Sequence, residues 1–504
     1  EPVGQQYRFD WTSPMMLSEH DSDRLYVAGN HLFISRDRGG SWTMTEDMSR
    51  QVDRDTLQIM GVAGADISIS RNDGTSSFGE AVTLDESPLD PDVLWIGFDD
   101  GNLQVSRNGG TTWGEVSGNV PGIASATYVS RIVASVTAAG TAYATFDAHR
   151  DGDFRPYVYR TRDFGSSWQP LHATLPDMGS VNVLVEHPDN PNTLFLGTEH
   201  HIFASTDAGS NWARVPNLPT TNYDDMVIHP REKDLVIGSH GQGVWVLDDT
   251  RAIAEWAEAT APVTVFSAPV GTIKLWKKDT SYRGQDKYSG TNPVDGVEIT
   301  YRLMNGSGSA IMRVENADGV VVRELTVPGV TGTHRVNWDL RHGGPGVSAE
   351  WARHDSPVLA RSIETWGPWV SPGAYTVTVE AGGQRGETIV DVRGDPESPI
   401  TQDMYESREE FMLDAIALTT RITDAMRDNG MNAGGGGSGF RGRAGPPRSP
   451  ADMLQVARRM VQQVYGALNG GSVRPGSLYP PTQTQREQLE RARALLADAI
   501  AEIG

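Results

Sequence analysis

The sequence comes nearest to an acid–base centre at Asp224-Asp225, preceded by Tyr223, because general acid–base work needs carboxylates placed beside the bond that breaks. These residues open a short apolar run, so they are candidates to face a channel, with Tyr223 as a ligand contact; the plainer role for either Asp is to satisfy backbone groups at a strand end. His200, His201 and His240 stand in loops and are the candidate imidazole contacts. His20, His187 and His229 recur at the same place in three separate turns, which argues for turn packing rather than metal ligation. Asp147, Asp151 and Asp153 have the oxygen density that suits calcium, but the complete Asp-x-Asp-x-Asp-Gly loop with a distal Glu is absent, so a solvated acidic hairpin is the expectation. No motif calls for any other cofactor.

The elements that must position these groups are repeats. Ser35-Arg36-Asp37-Arg38-Gly39-Gly40-Ser41-Trp42 returns as Ser106 to Trp113 around Asn108, as Thr161 to Trp168 around Asp163, and as Ser205 to Trp212 around Asp207. Each copy follows a polar turn and two short β runs, such as Leu25 to Gly29 then Leu32 to Ser35, or Leu194 to Gly197 then Ile202 to Ser205. A fifth copy, Leu235 to Gly238 then Val244 to Asp249, keeps the strands and loses the closing Gly and Trp. A degenerate Ser70-Arg71-Asn72-Asp73-Gly74 is counted as an extension of the first unit. The aligned positions 37, 108, 163, 207 and 249 are 71, 55, 44 and 42 residues apart, and the shorter intervals match a four-stranded propeller blade. Asp37, Asp163 and Asp207 are then turn fasteners, and Trp42, Trp113, Trp168 and Trp212 pack between blades.

The Ser/Thr-x-Asp-x-Gly-x-Ser/Thr-Trp phrase resembles the Asp box of bacterial neuraminidase repeats, and Tyr7 to Asp249 resembles sortilin-like propeller proteins of the kind labelled "glycosyl hydrolase". That resemblance implies a ring of ten blades, of which about five are visible. Half a ring leaves two open β edges, so an N-terminal propeller half, supplied as a separate or cleaved chain, is the expected partner. A sialidase would need three Arg on separate blades with a Tyr-Glu pair, and Arg131 and Arg155 offer no such set. A two-propeller endoglucanase would need carboxylates facing each other across a cleft. The expected function is therefore a secreted scaffold for protein, peptide or glycan binding, with glycoside hydrolysis through channel-facing carboxylates as the alternative.

Composition bounds the rest. The 504 residues carry 43 basic and 65 acidic side chains, a formal charge of −22 that repels nucleic acid and anionic lipid. There is no Cys, hence no disulfide or thiolate chemistry, and no apolar run long enough to span a membrane. An extracellular or periplasmic bacterial location is the expectation. The fold class is mainly β: blades over 1–260, an immunoglobulin-like sandwich over 261–396, and a helical segment over 397–504 with a Gly-rich linker at 431–448. In the sandwich, Asn337-Trp338-Asp339 is expected to pair with Ser371 to Tyr375, and Trp351, Trp366 and Trp369 to bury in an insert. Three helices are expected: one over Thr401 to Asp428 that stops at Gly430, a second capped by Ser449, and a third capped by Thr484 that buries Leu489, Leu496, Ile500 and Ile503.

Overall fold

A computed structural model describes residues 7–56, 58–59, 61–66, 78–275, 294–343, 367–431, 447, 449–470 and 476–503. The degenerate repeat at 70–74, Trp351, Trp366 and most of the Gly-rich linker lie outside the described residues. The chain divides into two compact units, Glu1–Glu258 and Ala259–Gly504.

In the first unit the repeats fold as a series of antiparallel blades in which sequence order is spatial order. Blade 1 is Met15–Leu17, Leu25–Ala28, Leu32–Ser35 and Thr43–Met44; blade 2 is Ala81–Glu86, Val93–Phe98, Leu103–Arg107 and Gly114–Glu115. Blade 3 is Tyr128–Ala134, Ala142–Asp147, Tyr157–Thr161 and Gln169–Pro170, and blade 4 is Val181–His187, Asn190–Thr198, Ile202–Ser205 and Ala213–Arg214. Blade 5 has three strands, Tyr223–Ile228, Leu235–Ser239 and Val244–Leu247. The first strands of successive blades touch in series, so they form the inner wall of an arc with the short fourth strands at its rim. A small hairpin, Gln58–Ile59 with Val62–Ala63, interrupts the chain between the strands of blades 1 and 2, contributes to the longest repeat interval and meets the His149–Asp151 turn of blade 3.

The repeated phrase is the turn from third to fourth strand, and its bonds are local. Ser35 Oγ donates to Asp37 Oδ1 (2.9 Å), which also accepts from Ser41 N (2.7 Å), while Asp37 Oδ2 accepts from Ser41 Oγ (2.7 Å). The same pattern holds around Asn108, Asp163 and Asp207. It holds the next residue left-handed, and Arg38, Phe164 and Ala208 adopt φ of 57° there without being glycine. These bonds from Ser41 and Ser167 lower the Asp37 and Asp163 carboxyls below their ordinary range.

Trp113, Trp168 and Trp212, which close the later phrases, lean on the preceding blade. Trp168 of blade 3 meets Trp95 of blade 2 edge-on at 6.1 Å between centroids, and Trp212 of blade 4 donates from Nε1 to Leu171 O of blade 3 (2.7 Å). Trp113 of blade 2 packs on the cluster of Tyr26, Leu32 and Ile34 in blade 1. Among the described residues no blade precedes that of Trp42, which is 44% exposed, whereas Trp168 is 7% exposed. Buried carboxylates add a second fastening. Glu86 accepts from Tyr26 Oη (2.8 Å) and Glu19 N (3.0 Å) of blade 1, and Glu186 accepts from Val136 N (2.7 Å) and Tyr143 Oη (3.0 Å) of blade 3.

In the second unit two sheets enclose one core: Val263–Val265, Val297–Leu303 and Gly332–Trp338 on one side, and Gly271–Ile273, Gln384–Gly394, Gly373–Ala381, Ser309–Glu315 and Val321–Pro328 on the other. Trp338 and Tyr375 touch at 5.2 Å, and Tyr375 Oη donates to Ser371 O (2.7 Å). Helices Gln402–Asp428, Pro450–Asn469 and Gln483–Ile503 pack on their own apolar faces. A buried polar latch ties them to the sheets. Arg341 stacks on Trp369 at 3.9 Å and donates to Asn469 Oδ1 (2.8 Å), while Arg408 donates to Ser477 O and Leu468 O. Burial lowers both guanidinium pKa values to about 10.

Ser449 caps the second helix by accepting from Asp452 N (3.2 Å). The third helix is capped by Thr482, not Thr484: Thr482 Oγ1 accepts from Gln485 N (3.3 Å) and Gln485 Oε1 accepts from Thr482 N (2.8 Å), a reciprocal capping box that Thr484 cannot form from inside the helix. Leu489 and Leu496 are buried on this helix, but Ile500 and Ile503 are exposed and Ala492 and Ala499 take the inner face instead.

Candidate ligand-binding face

In a blade of this order, the turn between second and third strands and the start of the first strand lie at the same end. That end gathers most of the candidate chemistry. The β-bulge between Tyr223 and Asp225 turns both Asp224 and Asp225 outward, because the extra residue breaks the alternation of faces. Arg131, on the inner strand of blade 3, reaches past blade 4 and donates from Nη2 to Asp225 Oδ1 (2.9 Å) and Asp224 O (3.2 Å). Asp224 Oδ2 pairs with His240 Nδ1 (3.2 Å), and Thr221 joins His240 to His200 by donating to the backbone oxygen of each. Asn182 of blade 4 bonds Asn222 of blade 5. Arginine, two carboxylates, one imidazole and two amides from three blades, with the backbone of His200 alongside, thus form one partly exposed polar face.

Tyr223 is not part of it. The ring is fully buried and its hydroxyl donates to Pro219 O (2.5 Å), so it supports the strand from behind and is no ligand contact. His201 packs edge-on against Phe203 at 6.3 Å, and its burial lowers its pKa. The acidic insert of blade 3 does not gather on a common centre. Asp147 binds His149 Nδ1 (2.5 Å), which keeps the carboxyl low against the opposing effect of burial, and Asp153 is held by Arg155 (2.6 Å) and Tyr157 (2.7 Å). Asp151 is raised by burial and by Asp153 beside it. His229 accepts from Glu232 N within its own turn, whereas His20 Nε2 bonds Ser87 O across the seam to the matching turn of blade 2.

The sequence reading missed Asp10, Glu80 and Asp99, whose carboxylates lie within 4.8 Å of one another and are close enough to share a cation. Asp99 Oδ1 accepts from Glu80 N (2.7 Å) and Gly79 N (3.0 Å), and burial, with Asp100 and Glu80 nearby, raises its pKa to about 7. Below that pH a proton at Asp99 relieves the crowding of charge. Glu80 and Asp99 are both buried. The signal was not local, since the three residues come from separate segments, and only Asp99-Asp100-Gly101 reads as a turn.

The serial blades and their ring-like inner wall define a propeller-type protein. No protein-family model matches the chain. It is similar to the oligoxyloglucan-reducing end-specific xyloglucanase of Emericella nidulans, at 28% identity over 168 residues, 32% of this chain and 18% of that enzyme. Among solved structures, the GH74 xyloglucanase from Xanthomonas campestris aligns over 49% of this chain and 40% of its own, with 16% identity and a TM-score of 0.31. An ancestral GH74 enzyme aligns over 77% and 47%, with 13% identity and a TM-score of 0.33. YCF48 bound to D1 peptide aligns over 48% and 92%, with 14% identity and a TM-score of 0.21. The chain spans less than a fifth of the fungal enzyme's length. No helix among the described residues is long and apolar enough to cross a membrane.

Proposed function

We propose that the chain is part of a secreted propeller of the Asp-box, sortilin-like kind that binds a neutral polysaccharide at the exposed face of blades 3 to 5. The observation that carries this is the convergence of Arg131, Asp224, Asp225 and His240 on one accessible surface, a set whose donors and acceptors match sugar hydroxyls and in which Arg131 is paired with Asp225. The distant similarity to a xyloglucanase makes a β-linked glucan such as xyloglucan the first ligand to try. Affinity electrophoresis of the whole chain in gels containing xyloglucan, xylan or mannan tests it. Retardation by a glucan, weakened at least ten-fold by Asp224→Asn or Arg131→Ala, is the expected result. Unchanged mobility in every gel overturns it.

Hydrolysis is the second reading, favoured by the exposure of Asp224 on the inner strand. Asp224 and Asp225 are adjacent on one strand, whereas a glycosidase holds its carboxylates on opposite sides of the bond, about 5 to 9.5 Å apart. A second carboxylate would have to come from elements facing this arc. Release of reducing ends from the retarding polysaccharide, abolished by Asp224→Asn, would establish this reading over plain binding.

We also infer that further blades complete the ring. Trp42, Met15 and Leu17 are exposed on blade 1, and Val227, Val244 and Val246 on three-stranded blade 5, which are the apolar positions that neighbouring blades cover elsewhere in the arc. A segment carrying the same turn and Trp fits both sides: its last blade would receive Trp42, and its first Trp would lean on blade 5. In the completed assembly, Trp42→Ala weakens association while leaving the arc folded.

A further inference from the structure

The residue after the fourth strand of each blade occupies an equivalent place. Its N–H donates to the third strand: Thr45 to Leu32 O (3.1 Å), Val116 to Leu103 O (2.8 Å), Leu171 to Val158 O (2.8 Å) and Val215 to Ile202 O (2.9 Å). In blades 2 and 3 this residue plugs the seam with the next blade. A Cβ placed on Gly165 would fall 2.7 Å from Val116, and one on Gly209 would fall 2.9 Å from Leu171, so these side chains press directly on the neighbouring turn. Blade 1 has threonine there. Thr45 Oγ1 turns inward to accept from Leu32 N (3.0 Å), and the matching Gly110 is met by Ile34 and Leu94 instead.

Among the described residues no side chain plugs the seam between blades 1 and 2, which holds a groove of about 580 Å³. Ile34 and Met48 supply buried apolar surface and Trp113 supplies a half-buried indole, whose Nε1 is already committed to Gly110 O (3.1 Å). Of the charged groups that line it, Asp47 is held by Arg8, Asn30 and Ser49, which leaves the exposed Arg36 and Glu46. Their charges cancel, so the groove favours neither phosphate nor a cation. An apolar and aromatic lining that also carries one cationic and one anionic side chain among neutral threonines and Gln104, in a volume within the usual 300 to 1,000 Å³ of small-ligand sites, suits a pyranose ring, which offers a C–H face to the indole and hydroxyls to the polar groups.

We propose that this groove is a second oligosaccharide subsite, separate from the face of blades 3 to 5 and resting on the same polysaccharide reading. The test is calorimetric titration of the whole chain with a xyloglucan oligosaccharide, with hydrogen exchange over residues 43–48 and 109–113 as a local readout. Thr45→Leu restores the plug used at the other seams, and Arg36→Ala with Glu46→Gln removes the polar mouth without touching the packing. The expected result is two binding events, of which Thr45→Leu and the double variant each weaken one at least ten-fold and remove its local protection, while Asp224→Asn weakens only the other. If the folded groove variants bind as the parent does and only Asp224→Asn fails, the subsite is wrong and the face stands. If only the groove variants fail, the face is wrong and the subsite stands; no binding at all refutes both.

Discussion

Replacing Trp168 by alanine and, separately, Trp42 by alanine measures what the repeated turn does for the arc. Both residues close the same phrase, so their local surroundings are matched. Trp168 is 7% exposed and abuts Trp95, which is fully buried, so its removal strips an indole from a packed seam and leaves a cavity beside a second indole. Truncations of that kind cost about 3 to 5 kcal/mol. Trp42 is 44% exposed, and a substitution so far from packed surroundings costs about 1 kcal/mol or less. With a urea dependence of about 3 kcal/mol per molar, Trp168→Ala should lower the midpoint of the blade unit by about 1 M or more and Trp42→Ala by no more than about 0.3 M. Urea unfolding of the full chain, with hydrogen exchange of the segment containing Trp95 to assign the transition, reads both. Equal losses would refute the claim that each Trp fastens its blade to the one before.

Two further outcomes follow from single groups. Burial raises Asp85 and Asp99 to about 7 in the folded chain, against an ordinary value of about 3.9 when unfolded. The folded state therefore holds more protons between about pH 4 and 7, and this contribution to stability is full below that window, falls by up to about 1.4 kcal/mol per pH unit per group within it, and is gone above it. The melting temperature should drop between pH 5 and pH 8, and Asp85→Asn or Asp99→Asn should shrink that drop; an unchanged drop contradicts the assignment. At the third helix, Thr482→Ala should cost about 1 kcal/mol in thermal unfolding of the second unit and Thr484→Ala close to nothing, with the reverse order restoring Thr484 as the cap.

What lay open in the sequence was whatever neighbouring residues decide among themselves. The Ser35-Asp37-Ser41 bonds span six positions, so the turn could be read from its spelling, and with it the blade period and the incomplete fifth repeat. The helix faces were legible at Leu489 and Leu496 for the same reason, although the last turn kept its isoleucines outside, where none of the described residues of this unit buries them. The pairing of Asp224 with His240 was half legible, since both stood out as loop or strand-end residues of one repeat.

Tertiary structure alone decided what meets across seams. Arg131 and Asp225 are 94 positions apart, and Asp10 reaches Glu80 and Asp99 only when blades 1 and 2 stand side by side. Nor could the spelling of Thr45 announce a groove: a threonine at a strand end is ordinary until Val116 and Leu171 are seen filling the same place. The physical reason is one of range. Hydrogen bonds within a turn are settled by a handful of adjacent residues, whereas the contents of a seam depend on two surfaces that radial stacking brings together from distant parts of the chain.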